Sequence, residues 1–300
     1  MDLPLRVVAA INKSFPDTGN AWLERYPKYL AHLLERWQLT IEGRAETGWP
    51  TNVVYFVANQ KGGPMVLKLG HPHPESTTER LVLNAANHQD LPIATLIDSD
   101  SDGNALLLKR IVPGTLLRES IRNGDDIRAA LNLHQQLPRA AIKGLPRYET
   151  WMAKAFTEYR AGTEAKADFL AKLTKAEELF ASLSQKDFLL HGDLHHENIL
   201  KGPTGWVAID PKGVIGPKEM ELRRFFHNFM EDEAEHFDLP SIQQVYKKRF
   251  ELGSEVLPYS VQQLMEITFI DLTLALTWHI NSDEDATRGL ISLGALEQML

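Results

Sequence analysis

Residues 191–213 read HGDLHHENILKGPTGWVAIDPKG. They place a carboxylate at Asp193, an amide five residues on at Asn198, and a second carboxylate twelve beyond that at Asp210. This combination suits phosphoryl transfer. Such chemistry needs one carboxylate to orient a hydroxyl and take its proton, and oxygen ligands for Mg²⁺ ions that bridge nucleotide phosphates. In that reading Asp193 is the proton acceptor, while Asn198 and Asp210 hold metal from opposite sides of a small hairpin. The competing reading is a polar loop capping a strand pair, with Asp and Asn present for turn chemistry. A lone His-x-Asp would leave that reading ahead; the full string at this spacing reverses the order.

The elements that must position these residues can be read outward from them. FLLHGDLHHENIL and WVAIDPKG form a short β-type island. Around it, segments 124–137 and 149–184 carry helical spacing, and helical sequence resumes from about Met220. Near the start, Trp22, Leu23, Tyr26, Leu30, Leu33, Leu34 and Trp37 recur at three- and four-residue steps. Pro27 suits a first turn, so the main helix is expected to begin near Tyr26, with Trp22 and Leu23 in a separate turn. Val53–Asn59 and Pro64–Gly70 flank QKGG as a hairpin, Glu75–Asn87 reads as a helix, and LPIATLID and ALLLKRIV read as strands around SDSDGN. Val112-Pro113-Gly114 punctuates the chain. The expectation is an α+β chain of two lobes with a cleft between them, β-rich over 1–112 and mostly helical over 113–300.

Composition narrows the partners. Apolar residues make up 43% and charged residues 24% of 300 residues, which excludes a fibrous or disordered chain. Lysine and arginine total 32 against 40 acidic residues, and a net charge of −8 opposes binding to nucleic acid or to an anionic membrane. Cysteine is absent, so disulfides and thiolate chemistry are excluded, which fits a cytoplasmic location. The opening MDLPLRVVAAINK lacks the pattern of a leader, and the late apolar run ITFIDLTLALTWHI is interrupted by Asp271.

HGDLHHENIL followed by AIDPKG resembles the aminoglycoside phosphotransferase family of kinase-like enzymes, and the IDPKG form is most similar to its streptomycin and hydroxyurea phosphotransferase branch. The resemblance is specific at 191–213, supportive at 48–114 and architectural elsewhere. It implies a bilobal protein-kinase-like fold and ATP- and Mg²⁺-dependent phosphorylation of a small-molecule hydroxyl, on a streptomycin-like aminoglycoside or on hydroxyurea. The sequence does not separate ATP from GTP. Protein kinases share a similar loop, HRDxxxxN. Here Gly192 replaces their Arg, Ile-Asp-Pro replaces DFG, and no APE follows. Glu197 stands where antibiotic kinases commonly carry Gly. Two alternatives are a protein-kinase-like enzyme and a catalytically inactive nucleotide-binding relative.

A kinase makes further demands. Lys68, inside the apolar strand MVLKLG, is the candidate for holding the α- and β-phosphates, with Glu79 as its helical partner and Glu75 as the competitor. An edge-strand lysine reaching water is the bland alternative. Gly48, Thr51 and Asn52 are candidates for a phosphate-facing loop, and the backbone from Lys109 to Ile111 for the nucleotide base. The resemblance gives His191 a bracing role and builds the acceptor pocket from the helical lobe, where Glu219, Glu221, Asp271 and Trp278 are candidates. Asp271, inside an apolar helix, is equally a buried ion pair.

Other features are set aside. DSDSDGN begins like a calcium loop but has Lys109 where the bidentate acid belongs, so a hairpin turn is expected. His71 and His73 read as exposed loop residues, and the acidic run 231–238 as a solvated helix face.

Overall fold

The strand Asn52–Asn59, in the first third of the chain, alternates in burial, whereas Pro64–Gly70 and Ala105–Lys109 of the same sheet are buried at consecutive positions. The computed structural model describes residues 3–45, 51–59, 63–87, 91–100, 104–119, 125–137, 140–162, 165–184, 186–228, 234 and 236–300. Its contacts divide the chain into two units, Met1–Gly114 and Thr115–Leu300.

In the first unit, helices α1 (Leu5–Ser14) and α2 (Gly19–Arg36) precede strands β1 (Leu39–Arg44), β2 (Asn52–Asn59) and β3 (Pro64–Gly70). Helix α3 (Pro74–Asn87) and strands β4 (Leu96–Asp100) and β5 (Ala105–Lys109) follow. The strands form an antiparallel sheet in the order β1-β2-β3-β5-β4. Val53, Tyr55, Val57, Met65, Leu67, Leu69, Ala105 and Leu107 share a core with Val7, Ile11, Tyr26, Leu30 and Leu33 of the first two helices. Residues of one parity on β2, β3 and β5 therefore face α1 and α2. Lys68 has the other parity and belongs to the opposite face, that of α3.

Helix α2 runs unbroken from Gly19 through Pro27, where the sequence predicted a break. The proline removes the main-chain bond to the Leu23 carbonyl, a cost of about 3 kcal/mol. Burial of Tyr26, Leu30 and Leu33, each worth about 1.5–3 kcal/mol, outweighs it. The Tyr26 and Tyr55 hydroxyls also bond at 2.6 Å beneath the sheet. Asp100 pairs with Ala105 at the ends of β4 and β5, and residues 101–103, on which the expected hairpin turn falls, lie outside the described residues.

The second unit is mostly helical: α4 (Asp125–Gln136), α5 (Tyr148–Ala161), α6 (Ala167–Ser182), α7 (Arg223–His227), α8 (Leu239–Val256), α9 (Val261–Asn281) and α10 (Thr287–Glu297). Helix α9 opens with a Ser260–Gln263 capping box and is buried nearly all round, as expected for a helix surrounded by others. No described helix is long and apolar enough to cross a membrane. Asp238, in the acidic run, accepts the Ser241 N–H as N-cap of α8; residues 231–233 and 235 lie outside the described residues.

The β island consists of four short strands, β6 (Phe188–Leu190), β7 (Ile199–Lys201), β8 (Trp206–Ala208) and β9 (Val214–Gly216). Strand β6 pairs with β9 and β7 with β8, both antiparallel, so one pair brackets the other in sequence. The two connecting loops, 191–198 and 209–213, consequently run side by side.

Candidate active site

Main-chain bonds stitch the two loops together. Gly213 N–H donates to the His191 carbonyl at 3.0 Å and Ile209 N–H to the Asn198 carbonyl at 2.9 Å. The His191 ring is buried, with Nε2 2.9 Å from the Ile209 carbonyl and Nδ1 accepting the Asp193 N–H at 3.3 Å. Since a carbonyl only accepts, the proton sits on Nε2 and the ring is neutral. Burial lowers the His191 pKa, opposed by the nearby carboxylates of Glu221 and Asp193.

Gly192 permits this close approach. It has φ +83°, and an added Cβ would lie 3.2 Å from Val214 Cγ1 and 3.3 Å from Lys212 Cβ. Asp193 follows with both main-chain groups fixed, because the Asn198 side-chain nitrogen donates to its carbonyl at 2.9 Å. That bond leaves the Asn198 amide oxygen as the atom able to ligate a cation. Asn198 immediately precedes β7 and Asp210 lies two residues beyond β8, so they flank the same end of this hairpin. Asp210 sits at φ +57°, a strained setting that Asp tolerates better than most residues. One carboxylate and one amide oxygen fit Mg²⁺, which is commonly held by one or two protein carboxylates together with substrate phosphates. Among the described residues no group of three or more His, Asp or Glu side chains forms a metal cluster.

The Asp193 carboxylate has two cations and a histidine ring around it. Arg224 Nη1 donates to Oδ1, Lys212 Nζ lies 3.9 Å from Oδ2, and His195 Nε2 lies 3.8 Å from Oδ1. Burial alone would raise the Asp193 pKa, but the Arg224 guanidinium, followed by Lys212, holds it well below the usual carboxylate range. Burial pushes His195 down to about 4, so its ring is neutral at neutral pH.

A second layer fixes the loop. Both Glu221 oxygens accept the His191 N–H, at 3.0 and 3.1 Å. His196, buried and stacked 4.1 Å from Phe225, meets Asp126 of α4 at 2.8 Å. Arg223 reaches the Asp271 carboxylate, the Met220 carbonyl and the Gly192 carbonyl, each at 2.7 Å. Asp271 also accepts the Tyr148 hydroxyl at 2.8 Å and meets His227 Nε2 at 2.9 Å.

Two acceptor candidates lie deep in the helical unit. Glu221 and Asp271 are 0% and 1% exposed and are engaged by the His191 N–H and by Arg223. Their spacing in apolar sequence signalled burial, and burial is affordable for a carboxylate only with such partners. Glu219 is part-buried in a 3₁₀ turn over Lys218–Leu222, and Trp278 is half-buried with its ring 6.1 Å from that of Trp151. Sequence reading missed Arg224, Lys212 and the His196–Asp126 pair. The adjacent arginines in MELRRFFHNF were the available signal, since charges within apolar sequence need partners.

In the first unit, Lys68 lies on central strand β3, flanked by β2 and β5, not on an edge. It is 7% exposed and its Nζ is 2.9 Å from both Glu79 oxygens. Thr51 is half-buried just before β2, and the Asn52 side chain lies across Gly70, leaving no space for a Cβ there. Gly48 lies outside the described residues, as does the Glu75 side chain. Lys109 and Arg110 donate their N–H groups to the Thr95 and Pro64 carbonyls, whereas His71 stacks on Phe15 at 4.0 Å.

The chain is similar to known proteins over most of its length. The profile of the aminoglycoside/hydroxyurea antibiotic resistance kinase family matches residues 36–279. Streptomycin 6-kinase of Streptomyces glaucescens is 27% identical over 264 residues, covering 86% of this chain and 84% of that protein. Hydroxyurea phosphotransferase of Kitasatospora aureofaciens is 30% identical over 233 residues, covering 74% and 67%. Among solved structures, choline kinase LicA of Streptococcus pneumoniae superimposes with a TM-score of 0.66 at 14% identity, over 91% of this chain and 99% of that one. The fold is thus kinase-like, and a match over most of the chain, from β1 through the Asp193 loop into α9, carries the assignment: this protein is a member of the aminoglycoside/hydroxyurea antibiotic resistance kinase family, an enzyme of the phosphotransferase class.

Proposed function

We propose that the protein transfers the γ-phosphoryl group of ATP, with Mg²⁺, to a hydroxyl of a small molecule, either a streptomycin-like aminoglycoside or hydroxyurea. The observation that carries this reading is the pair of stitched loops, which hold Asp193, Asn198 and Asp210 around one hairpin. The acceptor oxygen bonds to the γ-phosphorus as the bond from that phosphorus to the departing ADP oxygen breaks, and the hydroxyl proton passes to Asp193. Because nearby cations keep Asp193 ionised, it orients the hydroxyl first and takes the proton late, which suits a loose transition state. Asn198 and Asp210 are the metal ligands in this reading; when bound, Mg²⁺ supplies positive charge to the phosphate oxygens. Lys68, held by both oxygens of Glu79, is assigned to the α- and β-phosphates. Thr51 and Asn52, with Gly48, are assigned to the loop facing the phosphates. Base recognition falls to Ile111 and the carbonyls of the Lys109–Ile111 segment, since the sheet uses the N–H groups of Lys109 and Arg110. Glu219 and Trp278 remain the candidates for acceptor contact.

The test is ATP consumption and product formation with streptomycin, hydroxyurea, sugars and amino alcohols. Asp193→Ala is expected to abolish transfer while nucleotide binding persists. Full turnover by that variant would remove Asp193 from its role. Normal ATP binding with no turnover on any compound would favour a binding-only relative.

A further inference from the structure

Two adjacent arginines on α7 are held very differently. Arg223 is 1% exposed and is satisfied by Asp271 and two carbonyls, so it anchors the short helix to the catalytic loop. Arg224 contributes none of that anchoring. Among the described residues its guanidinium hydrogen-bonds to Asp193 Oδ1 alone. Its Nε is buried without a hydrogen bond, 3.7 Å from Asp271 Oδ2, within ion-pair range only. A guanidinium with five donors that commits to a single carboxylate oxygen is poorly used as a structural brace.

The geometry at Asp193 shows what the contact controls. The Asp193 N–H and carbonyl are both bonded, so the remaining freedom lies in the side-chain torsions. Arg224 removes that freedom at Oδ1. Oδ2 has Lys212 at 3.9 Å, beyond hydrogen-bond distance. Asp271, in turn fixed by Tyr148, Arg223 and His227, presents a buried negative charge to the far side of the Arg224 guanidinium.

We propose that Arg224 is a positioning residue: held toward Asp271, it fixes one oxygen of Asp193 so that the other is presented to the acceptor hydroxyl. The proposal rests on the reading of Asp193 as proton acceptor. A carboxylate free to rotate would present its oxygen in the reactive geometry only part of the time, and misplacement of about 1 Å can lower turnover about 100-fold.

Wild type, Asp193→Ala, Arg224→Met and Arg224→Lys are compared for transfer from ATP to streptomycin and to hydroxyurea, with nucleotide binding and thermal melting measured alongside. Arg224→Met is expected to lose about 10- to 100-fold in kcat. Its KM for ATP and acceptor should stay within about threefold, its ATP affinity unchanged and its melting midpoint near that of wild type. Arg224→Lys keeps the charge and the aliphatic stem but not the fork, and should recover part of the lost kcat. A folded Arg224→Met with kcat within about twofold of wild type overturns the proposal, as does a loss expressed in KM alone. If Arg224→Met does not fold, Arg224→Lys decides: kcat about tenfold down at unchanged KM supports the proposal, and wild-type kcat overturns it. Failure of the functional reading itself is seen elsewhere, as absent transfer by wild type or full transfer by Asp193→Ala.

Discussion

Replacing Asp271 by Asn should destabilise the helical unit more than it disturbs any surface. The carboxylate is 1% exposed, accepts from Tyr148 and Arg223, and meets the His227 ring at 2.9 Å, with Arg224 3.7 Å away. Removing one partner of a buried ion pair leaves the other charge uncompensated and costs about 3–5 kcal/mol. Arg223 keeps two carbonyl acceptors at 2.7 Å, which places the cost near the lower end. For a unit spanning Thr115–Leu300, each kcal/mol shifts the melting midpoint by about 2–4 °C, so a loss of roughly 6–12 °C is expected. Calorimetry on wild type, Asp271→Asn, Arg223→Met and the double variant measures both the loss and the coupling. The double variant should cost clearly less than the sum of the singles, because each single leaves one charge of the pair buried alone and the double leaves neither. A midpoint for Asp271→Asn within about 2 °C of wild type, or strictly additive singles, would refute the reasoning.

Acidification below about pH 6.5 should weaken the fold through buried histidines. Burial lowers the pKa of His191, His195 and His227, so each stays neutral when folded yet takes a proton when unfolded below about 6.5. The unfolded state then binds more protons, and the stability present above about pH 6.5 is lost as pH falls, down to about 4 for His195. His195 alone contributes about 2 kcal/mol of loss between neutral pH and about pH 5, so urea midpoints that are flat over that range would contradict the assignment. Lys68→Met should raise KM for ATP and lower kcat, on the order of tenfold or more in kcat/KM, while the melting curve shows whether Glu79, left buried, costs stability as well. Unchanged kcat/KM for ATP would detach Lys68 from the nucleotide.

The legible parts of the chain were those in which local pattern and long-range partner agree. Strand β3 matches its sequence span, and the α3 boundary differs by one residue, because alternation and helical period were each uninterrupted. Helix α2 was misjudged at Pro27 because a local rule about one hydrogen bond was outweighed by burial against a sheet formed by later residues. Asp193, Asn198 and Asp210 stood out in the sequence through their spacing, and the β7–β8 hairpin brings Asn198 and Asp210 to one end. Arg224 meets Asp193 from thirty-one residues away and His196 meets Asp126 from seventy, and neither separation leaves a periodic trace. Asp271 was visible as an anomaly, but the identity of its partners required the packing of α5, α7 and α9.

That packing also changes what the chain's charge implies about the acceptor. A net charge of −8 invites the idea of a site built for a polycation. Yet Glu221 and Asp271, two of the three carboxylates considered for that role, are consumed within the helical unit. Asp193, assigned to the acceptor hydroxyl in the proposed function, is itself flanked by Arg224 and Lys212. Arg223, Arg224 and Lys212 are in turn matched by the carboxylates of Asp193 and Asp271, so the cations beside Asp193 are compensated locally. The chain's net charge therefore selects neither a cationic nor a neutral acceptor, and of the three candidate carboxylates Glu219 is the one not engaged by Arg223 or by the His191 N–H.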